Sequence, residues 1–184
     1  MTALSKEKLA EWVAKKHNRQ RIKQTALPYF SHLLNVANTS KIFSAFGFEI
    51  GLCHDLLEDT QTTFGELIDA LKKFGYEDAD ASHIGKCVFE LTDVYSKQDF
   101  PAFSKNERKK REARRLLTIS PDAQTVKYAD LIDNIAWMLA YDKKKVKRYL
   151  KRKQVLLLNL DQGNPQLRAE ALKLIVNSLK NLKA

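Results

Sequence analysis

Apolar side chains recur every three or four positions along most of the chain, which is the period of amphipathic helices. Few glycines and prolines interrupt this pattern, since the chain contains 6 and 4 of them. A turn-rich all-β fold is therefore disfavoured. The pattern predicts an all-α bundle of roughly eight or nine helices, over residues 4–16, 31–46, 49–57, 62–74, 83–91, 107–117, 123–140, 145–160 and 166–180.

The predicted helix over residues 49–57 carries polar side chains in an apolar setting. The pair His54-Asp55 stands between apolar residues on both sides, and Glu58 and Asp59 follow at once. Buried imidazole and carboxylate groups lose hydration, and hydrogen bonding, ion pairing or a bound cation is the usual compensation. If the helix continues through this segment, Glu58 returns to the face of His54 one turn later. We therefore expect a functional site here.

The predicted helix over residues 123–140 is apolar on nearly all sides, so we expect it to lie at the centre of the bundle. Its polar exceptions are Asp130, Asp133 and Asn134. The same combination of an apolar helix with a few polar side chains surrounds His54. The two segments are therefore expected to contribute to one site.

Polar residues planted in apolar helices supply a candidate metal site. Two imidazoles and two carboxylates suit manganese, iron, zinc or another divalent first-row ion. Such an ion lowers the pKa of a bound water and neutralises phosphate charge. Glu58 and Asp59 are then candidates for the general base that orients or deprotonates this water. The candidate metal ligands are His32, His54, Asp55 and Asp130.

The chain is strongly basic, with 32 Lys and Arg against 22 Asp and Glu and a formal charge of +10. Half of the basic residues lie between positions 104 and 153. This charge favours an anionic partner. Because the basic runs lack interleaved exposed aromatic residues and a recognised binding motif, a small anionic nucleotide is favoured over nucleic acid. Solvated helix faces are the plain alternative for the same residues.

Length and cysteine usage add expectations about organisation and location. A chain of 184 residues is most simply one domain, over residues 1–184. Cys53 and Cys87 lack the spacing of a disulfide framework, so reduced thiols and a cytoplasmic location are expected. No apolar run reaches the length of a membrane span, so no membrane partner is expected. An oligomer stays possible.

A lone His, a His-Asp pair and a distant Asp on helical segments together form the pattern of the HD superfamily of metal-dependent phosphohydrolases. The surrounding sequence resembles the hydrolase domain of the RelA/SpoT-homologue family, especially its single-domain small alarmone hydrolases. The resemblance runs from about residue 9 to about residue 160 and includes residues 14–17, 20–21, 23, 28–29, 54–60 (HDLLEDT), 91–93 (LTD), 107–110 and 126–134 (VKYADLIDN).

This resemblance implies an HD-type helical bundle whose four candidate ligands hold manganese. It assigns the activation of the nucleophilic water to Glu58 and Asp59. It also implies a set of substrate contacts, with Asn134 at the sugar-phosphate end of the nucleotide. The other implied contacts are Lys23, from an Arg-Lys pair of the family, and Lys145 and Tyr149 on the far side of the pocket.

Two departures from the family pattern bear on recognition of the guanine base. Ile22 stands where the family has a base-stacking arginine, and an apolar side chain supplies no cation for the purine face. Arg21 or Gln24 is then the residue expected to reach that space, since the loop over residues 23–28 is one residue shorter than in the family. After Asp130 the family usually has Lys-Leu-Tyr-Asn, whereas this chain has Leu-Ile-Asp-Asn over residues 131–134.

Members of this family remove the 3′-pyrophosphate of ppGpp and pppGpp, giving GDP or GTP and pyrophosphate, and the resemblance implies the same reaction here. An HD phosphatase for another nucleotide, such as a nucleoside monophosphate or NADPH, is the alternative that Ile22 and Leu131 favour. A non-catalytic nucleotide sensor, or a basic nucleic-acid-binding module with a residual metal site, is a third interpretation. The intact set of candidate ligands with Glu58 and Asp59 argues against it.

Overall fold

The computed structural model describes residues 2–182 and is built from α-helices in that range. Its extended structure there is one isolated antiparallel bridge between Arg21 and Pro28. The predicted all-α class is confirmed. The helices are α1 (Ala3–Lys16), α2 (Phe30–Ser40), α3 (Gly47–Cys53), α4 (Leu56–Asp59), α5 (Phe64–Lys73), α6 (Asp78–Leu91), α7 (Lys105–Leu116), α8 (Pro121–Tyr141), α9 (Lys143–Asn159) and α10 (Pro165–Asn181).

Helix α8 forms the centre of the bundle and packs against α2, α3, α6, α9 and α10. It starts with Pro121, whose fixed φ and missing N–H suit the first position of a helix. Apolar side chains are buried on several of its sides, among them Val126, Leu131 and Ile135. A helix that is apolar nearly all round is stable only when neighbours cover it, which explains the central position.

Helices α2 and α3 approach each other closely because of Gly51. A Cβ atom at this position would lie 2.8 Å from the Cα atom of Ala37, well inside van der Waals contact. Only glycine therefore allows the two backbones to come this close. The approach brings the end of α3, where His54 follows, against the first turn of α2, which contains His32.

Two predicted helix limits in this region are wrong. The helix predicted over residues 31–46 ends at Ser40, and Gly47 starts α3 instead of ending α2. The glycine is needed because a Cβ atom there would lie 2.2 Å from the Ser40 carbonyl oxygen. The chain thus makes a compact turn between the two helices, where the sequence pattern had predicted one longer helix.

The helix predicted over residues 49–57 is interrupted at His54-Asp55, between α3 and α4. His54 Nδ1 lies 2.7 Å from the Gly51 carbonyl oxygen, an acceptor that a continuous helix would give to the backbone N–H of Asp55. The turn resumes after this break, with the Asp59 N–H donating to the Asp55 carbonyl at 2.9 Å. None of the helices over residues 2–182 is both long enough and apolar enough to cross a membrane.

Candidate metal and catalytic site

Two buried histidines face each other where α2 and α3 meet. His32 and His54 are 5% and 2% exposed, and their ring centroids lie 5.2 Å apart. Asp130 of α8, 5% exposed, completes a group whose potential ligand atoms all lie within 4.8 Å of one another. Asp55 joins them, since its Oδ2 lies 3.0 Å from His54 Nε2 and 3.7 Å from His32 Nε2. The structure therefore brings together all four predicted ligands.

The tautomer of His54 follows from its neighbours. Its Nδ1 lies 2.7 Å from the Gly51 carbonyl oxygen, so this nitrogen carries the proton and donates. In the neutral ring Nε2 is then left with its lone pair. This atom is buried, faces Asp55 and Asp130, and has no hydrogen-bond partner within the part of the chain that the structure describes. A buried lone pair of this kind fits a metal ligand.

His32 is oriented in the same way by a different partner. Its Nδ1 lies 2.7 Å from Asp133 Oδ2, and the Asn35 side-chain amide donates to the other oxygen of that carboxylate at 2.9 Å. His32 Nε2 therefore points inwards, 3.5 Å from Asp130 Oδ1 and 3.7 Å from Asp55 Oδ2. A carboxylate behind a metal-binding histidine fixes the ring and raises its basicity as a ligand.

The electrostatics of this cluster favour a positive charge at its centre. Burial alone lowers the pKa of both imidazoles. The nearby carboxylates of Asp130 and Asp133 nevertheless raise the pKa of His32 to about 9, and those of Asp55 and Asp130 raise the pKa of His54 to about 10. Without a metal the carboxylates thus recruit protons. A divalent cation bound at the same point would replace these protons, and mixed nitrogen and oxygen donors suit such an ion.

Further side chains hold the two carboxylates. The Tyr29 hydroxyl donates to Asp55 Oδ2 at 2.5 Å, and the Lys127 ammonium lies 2.8 Å from Asp130 Oδ2. The Asn134 side-chain amide donates to Asp130 Oδ1 at 2.5 Å. Asn134, predicted as a substrate contact, is therefore placed one helical turn from a candidate ligand and bonded to it.

Glu58 and Asp59 lie on α4, next to the candidate metal ligands. Glu58 Oε2 accepts a hydrogen bond from the backbone N–H of Asp93 at 3.1 Å. Burial, and then the charge of Asp93, raise the pKa of Glu58 to about 7. Burial and the charge of Asp55 also raise the pKa of Asp59. A carboxylate whose pKa lies near neutrality is suited to take up and release a proton.

The remaining predicted substrate contacts differ in how they relate to this cluster. Tyr149 of α9 is half-buried, and burial together with the charge of Asp130 raises its pKa, so it faces the site. Arg21 and Lys23 are exposed, and the Lys23 carbonyl accepts from the Trp137 indole at 2.8 Å. Lys145 is exposed with its ammonium 3.4 Å from Asp142 Oδ2. No hydrogen bond or ion pair among residues 2–182 joins these three side chains to the candidate ligands.

The prediction missed four side chains that surround the candidate ligands. Asp133 was visible as a polar exception in an apolar helix, and Lys127 lies one turn before Asp130. Lys153 shares the i, i+4 register with Tyr149. Tyr29 precedes His32 by three positions but carries no distinctive signal of its own. The four missed residues are Tyr29, Lys127, Asp133 and Lys153.

An all-helical fold that holds two imidazoles and two carboxylates around one point defines a candidate metal centre of the HD type. No protein-family model matches the chain. It is 28% identical over 174 residues to the mouse guanosine-3′,5′-bis(diphosphate) 3′-pyrophosphohydrolase MESH1, an alignment that covers 89% of this chain and 88% of the mouse protein. The human MESH1 is 30% identical over 131 residues, which is 68% of this chain and 65% of the human protein.

A solved structure shares the fold, with a TM-score of 0.77 and 22% identity over 99% of this chain and 98% of the other. It is that of a metazoan ortholog of SpoT, described as hydrolysing ppGpp and playing a role in starvation responses. The chain is homologous to the MESH1 proteins. Its resemblance to the hydrolase domain of the RelA/SpoT-homologue family is thereby confirmed.

Proposed function

We propose that this chain is a metal-dependent hydrolase that removes the 3′-pyrophosphate of ppGpp and pppGpp, giving GDP or GTP and pyrophosphate. The observation that carries the proposal is the convergence of two imidazole Nε2 atoms and two carboxylates beside Glu58, a carboxylate whose pKa is raised to about 7. The names of the relatives support this substrate. We further propose that the protein works as a single domain in the cytoplasm, where its two buried thiols stay reduced.

The candidate ligands would hold one divalent ion, and we propose manganese because mixed imidazole and carboxylate donors suit it. Such an ion supplies Lewis-acid polarisation of a phosphoryl oxygen and a lowered pKa of bound water. The protein itself orients the imidazoles through Gly51 and Asp133. It also holds Asp55 through the Tyr29 hydroxyl.

Glu58 is proposed as the general base, with Asp59 positioning the attacking water. A base must be unprotonated to accept a proton, and the raised pKa makes Glu58 a stronger base than an ordinary glutamate. The attack breaks the bond between the 3′-oxygen of the ribose and phosphorus, so that the pyrophosphate leaves with the water oxygen. The proton that Glu58 takes from water is available to the departing 3′-oxygen.

The nucleotide is proposed to lie against Tyr149 and Asn134, with Arg21, Lys23 and Lys145 meeting its phosphates. Asn134 and Tyr149 already border Asp130. The three cations are exposed and reach the pocket by moving their flexible side chains. Ile22 in the position of the base-stacking arginine favours a second candidate, hydrolysis of phosphate from another nucleotide such as NADPH or a nucleoside monophosphate.

The test is hydrolysis of ppGpp by the purified chain with manganese, beside NADPH and a panel of nucleoside monophosphates, with products separated by ion exchange. Asp55→Ala removes a candidate ligand, and Asp161→Ala removes an exposed carboxylate as the matched control. We expect GDP and pyrophosphate from ppGpp in the wild type and Asp161→Ala, and none in Asp55→Ala. Release of phosphate from NADPH or a nucleoside monophosphate, without turnover of ppGpp, would show that the substrate is this other nucleotide. Binding of ppGpp without turnover of any nucleotide would indicate a sensor.

A further inference from the structure

A partly buried lysine lies in register with the buried stripe of α9. Val146, Leu150 and Leu157 of this helix are 1%, 0% and 0% exposed and form its buried stripe. Lys153 lies on the same stripe, three residues after Leu150 and four before Leu157. This 4-3-4 spacing is that of the apolar face of a helix packed on a core. An apolar residue would be the ordinary occupant of such a position.

The surroundings of the Lys153 ammonium do not neutralise it. Its Nζ lies 5.5 Å from the centroid of the Tyr149 ring. Among residues 2–182 no carboxylate oxygen lies within 4.0 Å of it. Burial, and then the charge of Lys127, lower its pKa to about 8, although Asp130 and Asp93 act in the opposite direction. Lys153 is partly buried, and a partly desolvated cation without a close counter-ion is unfavourable, which points to a missing anion.

Further cations gather next to Lys153, from α7 and α9. Burial lowers the pKa of Lys109, and the charges of Arg152, Lys105 and Arg148 lower it further, so these basic side chains repel one another. In the described part of the chain none of the four forms an ion pair. These four cations of α7 and α9 thus lie near enough to act on one another and have no ion-pair partner among residues 2–182.

Asp93 connects this group of cations to the candidate metal site. Its backbone N–H donates to Glu58 Oε2 at 3.1 Å. Its carboxylate acts on both Lys109 and Lys153. The cations therefore border the proposed general base, on the side of the site that α7 and α9 form. When the phosphate that reacts lies at the metal cluster, the other phosphate groups of the same substrate can lie among these cations.

We propose that Lys153, with Lys109 and Arg152, forms an anion-binding subsite for the phosphate groups of the nucleotide that are not cleaved. The identity of that nucleotide rests on the proposed function, whereas the class of ligand, a phosphate ester or diphosphate, follows from the uncompensated cations. Lysine ammonium groups bind phosphate as mobile point charges and arginine binds it through paired N–H donors.

The decisive variant is Lys153→Met, because methionine is similar in length and apolar, as the buried stripe requires. We expect its melting temperature to equal or exceed that of the wild type, so a loss of binding cannot be a loss of folding. Lys151→Met is the matched control. Lys151 is exposed, lies on the opposite side of α9, and its replacement lowers the net charge equally.

Binding is measured by calorimetry on the manganese-loaded full chain, with GDP as the probe for a nucleotide diphosphate and guanosine as the probe without phosphate. A charge-assisted hydrogen bond contributes about 1.5–3 kcal/mol, so we expect Lys153→Met to weaken GDP binding by about tenfold or more. Guanosine binding should not change. In steady-state hydrolysis of ppGpp, KM should rise by a similar factor while kcat stays within about twofold, since the contact is equal in ground and transition states.

Equal GDP binding by Lys153→Met and Lys151→Met would overturn the subsite. A fall in kcat at unchanged KM would also overturn it, because Lys153 would then act at the cleaved bond. Failure of the proposed function gives a different result. If ppGpp is not hydrolysed by any of the proteins, the substrate is wrong, and the GDP titrations still decide whether Lys153 binds phosphate.

Discussion

The candidate metal cluster and the basic group of α7 and α9, formed by Lys109, Arg152 and Lys153, lie on two sides of Glu58. They differ in whether their charges are paired. In the cluster each ionisable group has a partner of opposite sign or a hydrogen bond, as with His32 between Asp133 and Asp130. In the basic group Lys109 and Arg152 repel each other, and Lys153 has no counter-ion within ion-pair distance among residues 2–182. The first arrangement holds its geometry before a ligand arrives. The second becomes favourable only when an anion binds.

The largest effect is expected at Glu58, where the two regions meet. Glu58→Gln keeps the shape of the side chain but removes the base, so kcat should fall by about 10²- to 10⁴-fold. Manganese affinity, measured by calorimetry, should not change because Glu58 is not among the candidate ligands. An unchanged kcat would remove Glu58 from the mechanism.

The pH dependence of the wild type provides a second check on Glu58. Burial and Asp93 raise its pKa to about 7, and the base acts only when deprotonated. The value of kcat/KM should therefore fall as the pH falls through about 7. A rate that stays constant down to pH 5 would contradict this assignment.

The next largest effect is expected at Asp133, which orients His32. Asp133→Ala leaves His32 Nδ1 without its acceptor, and loss of such a partner typically lowers metal affinity about 10- to 100-fold. The measurement is the manganese dissociation constant by calorimetry, with Asp161→Ala as the control of equal charge. If both variants bind manganese equally, the cluster does not depend on this carboxylate.

Gly51 tests whether close helix packing holds the cluster together. In Gly51→Ala the new Cβ would lie 2.8 Å from the Ala37 Cα atom, so α2 and α3 must separate. We expect a loss of about 1–3 kcal/mol of unfolding free energy, together with weaker manganese binding. Gly65→Ala in α5 is the control, because nothing lies within 4 Å of its new Cβ. Chemical denaturation of the two variants gives the comparison, and equal stability would contradict the prediction.

The smallest effect is expected at Asp93, which acts on both regions at once. Asp93→Asn removes a negative charge beside Glu58, so the acid limb of the pH–rate profile should move to lower pH. It also removes an anion near Lys109 and Lys153, so KM for ppGpp should fall. Both changes come from one set of initial rates measured at several pH values. A shift of the acid limb to higher pH would mean that Asp93 lowers the pKa of the base, which would contradict the prediction.

Sequence pattern gave most of the helices because the period of apolar positions is a local property. The central helix α8 and the loop before α7 follow from it. His54-Asp55 and Asp130 were recognisable for the same reason, since polar side chains in apolar helices need compensation. One group of errors falls at residues 40–56, where two glycines and the His54 side chain set the backbone path through contacts that periodicity does not contain. The predicted start at residue 83 is also wrong, since α6 begins at Asp78.

By itself, the sequence determined the all-α class and which residues were suited to bind a metal. Only the tertiary structure decided how they are oriented and what lies beside them. Asp133 bonds to His32 across 101 positions, and this pairing depends on how α2 packs against α8. Lys145 and Lys153 lie four residues before and after Tyr149, so the helical period places all three on one face of α9. In the structure Lys145 is exposed and pairs with Asp142, whereas Lys153 is partly buried. The sequence defines the chemical type of each side chain and its position along a helix. The burial of the side chain and its neighbours depend on packing between segments that are distant in sequence.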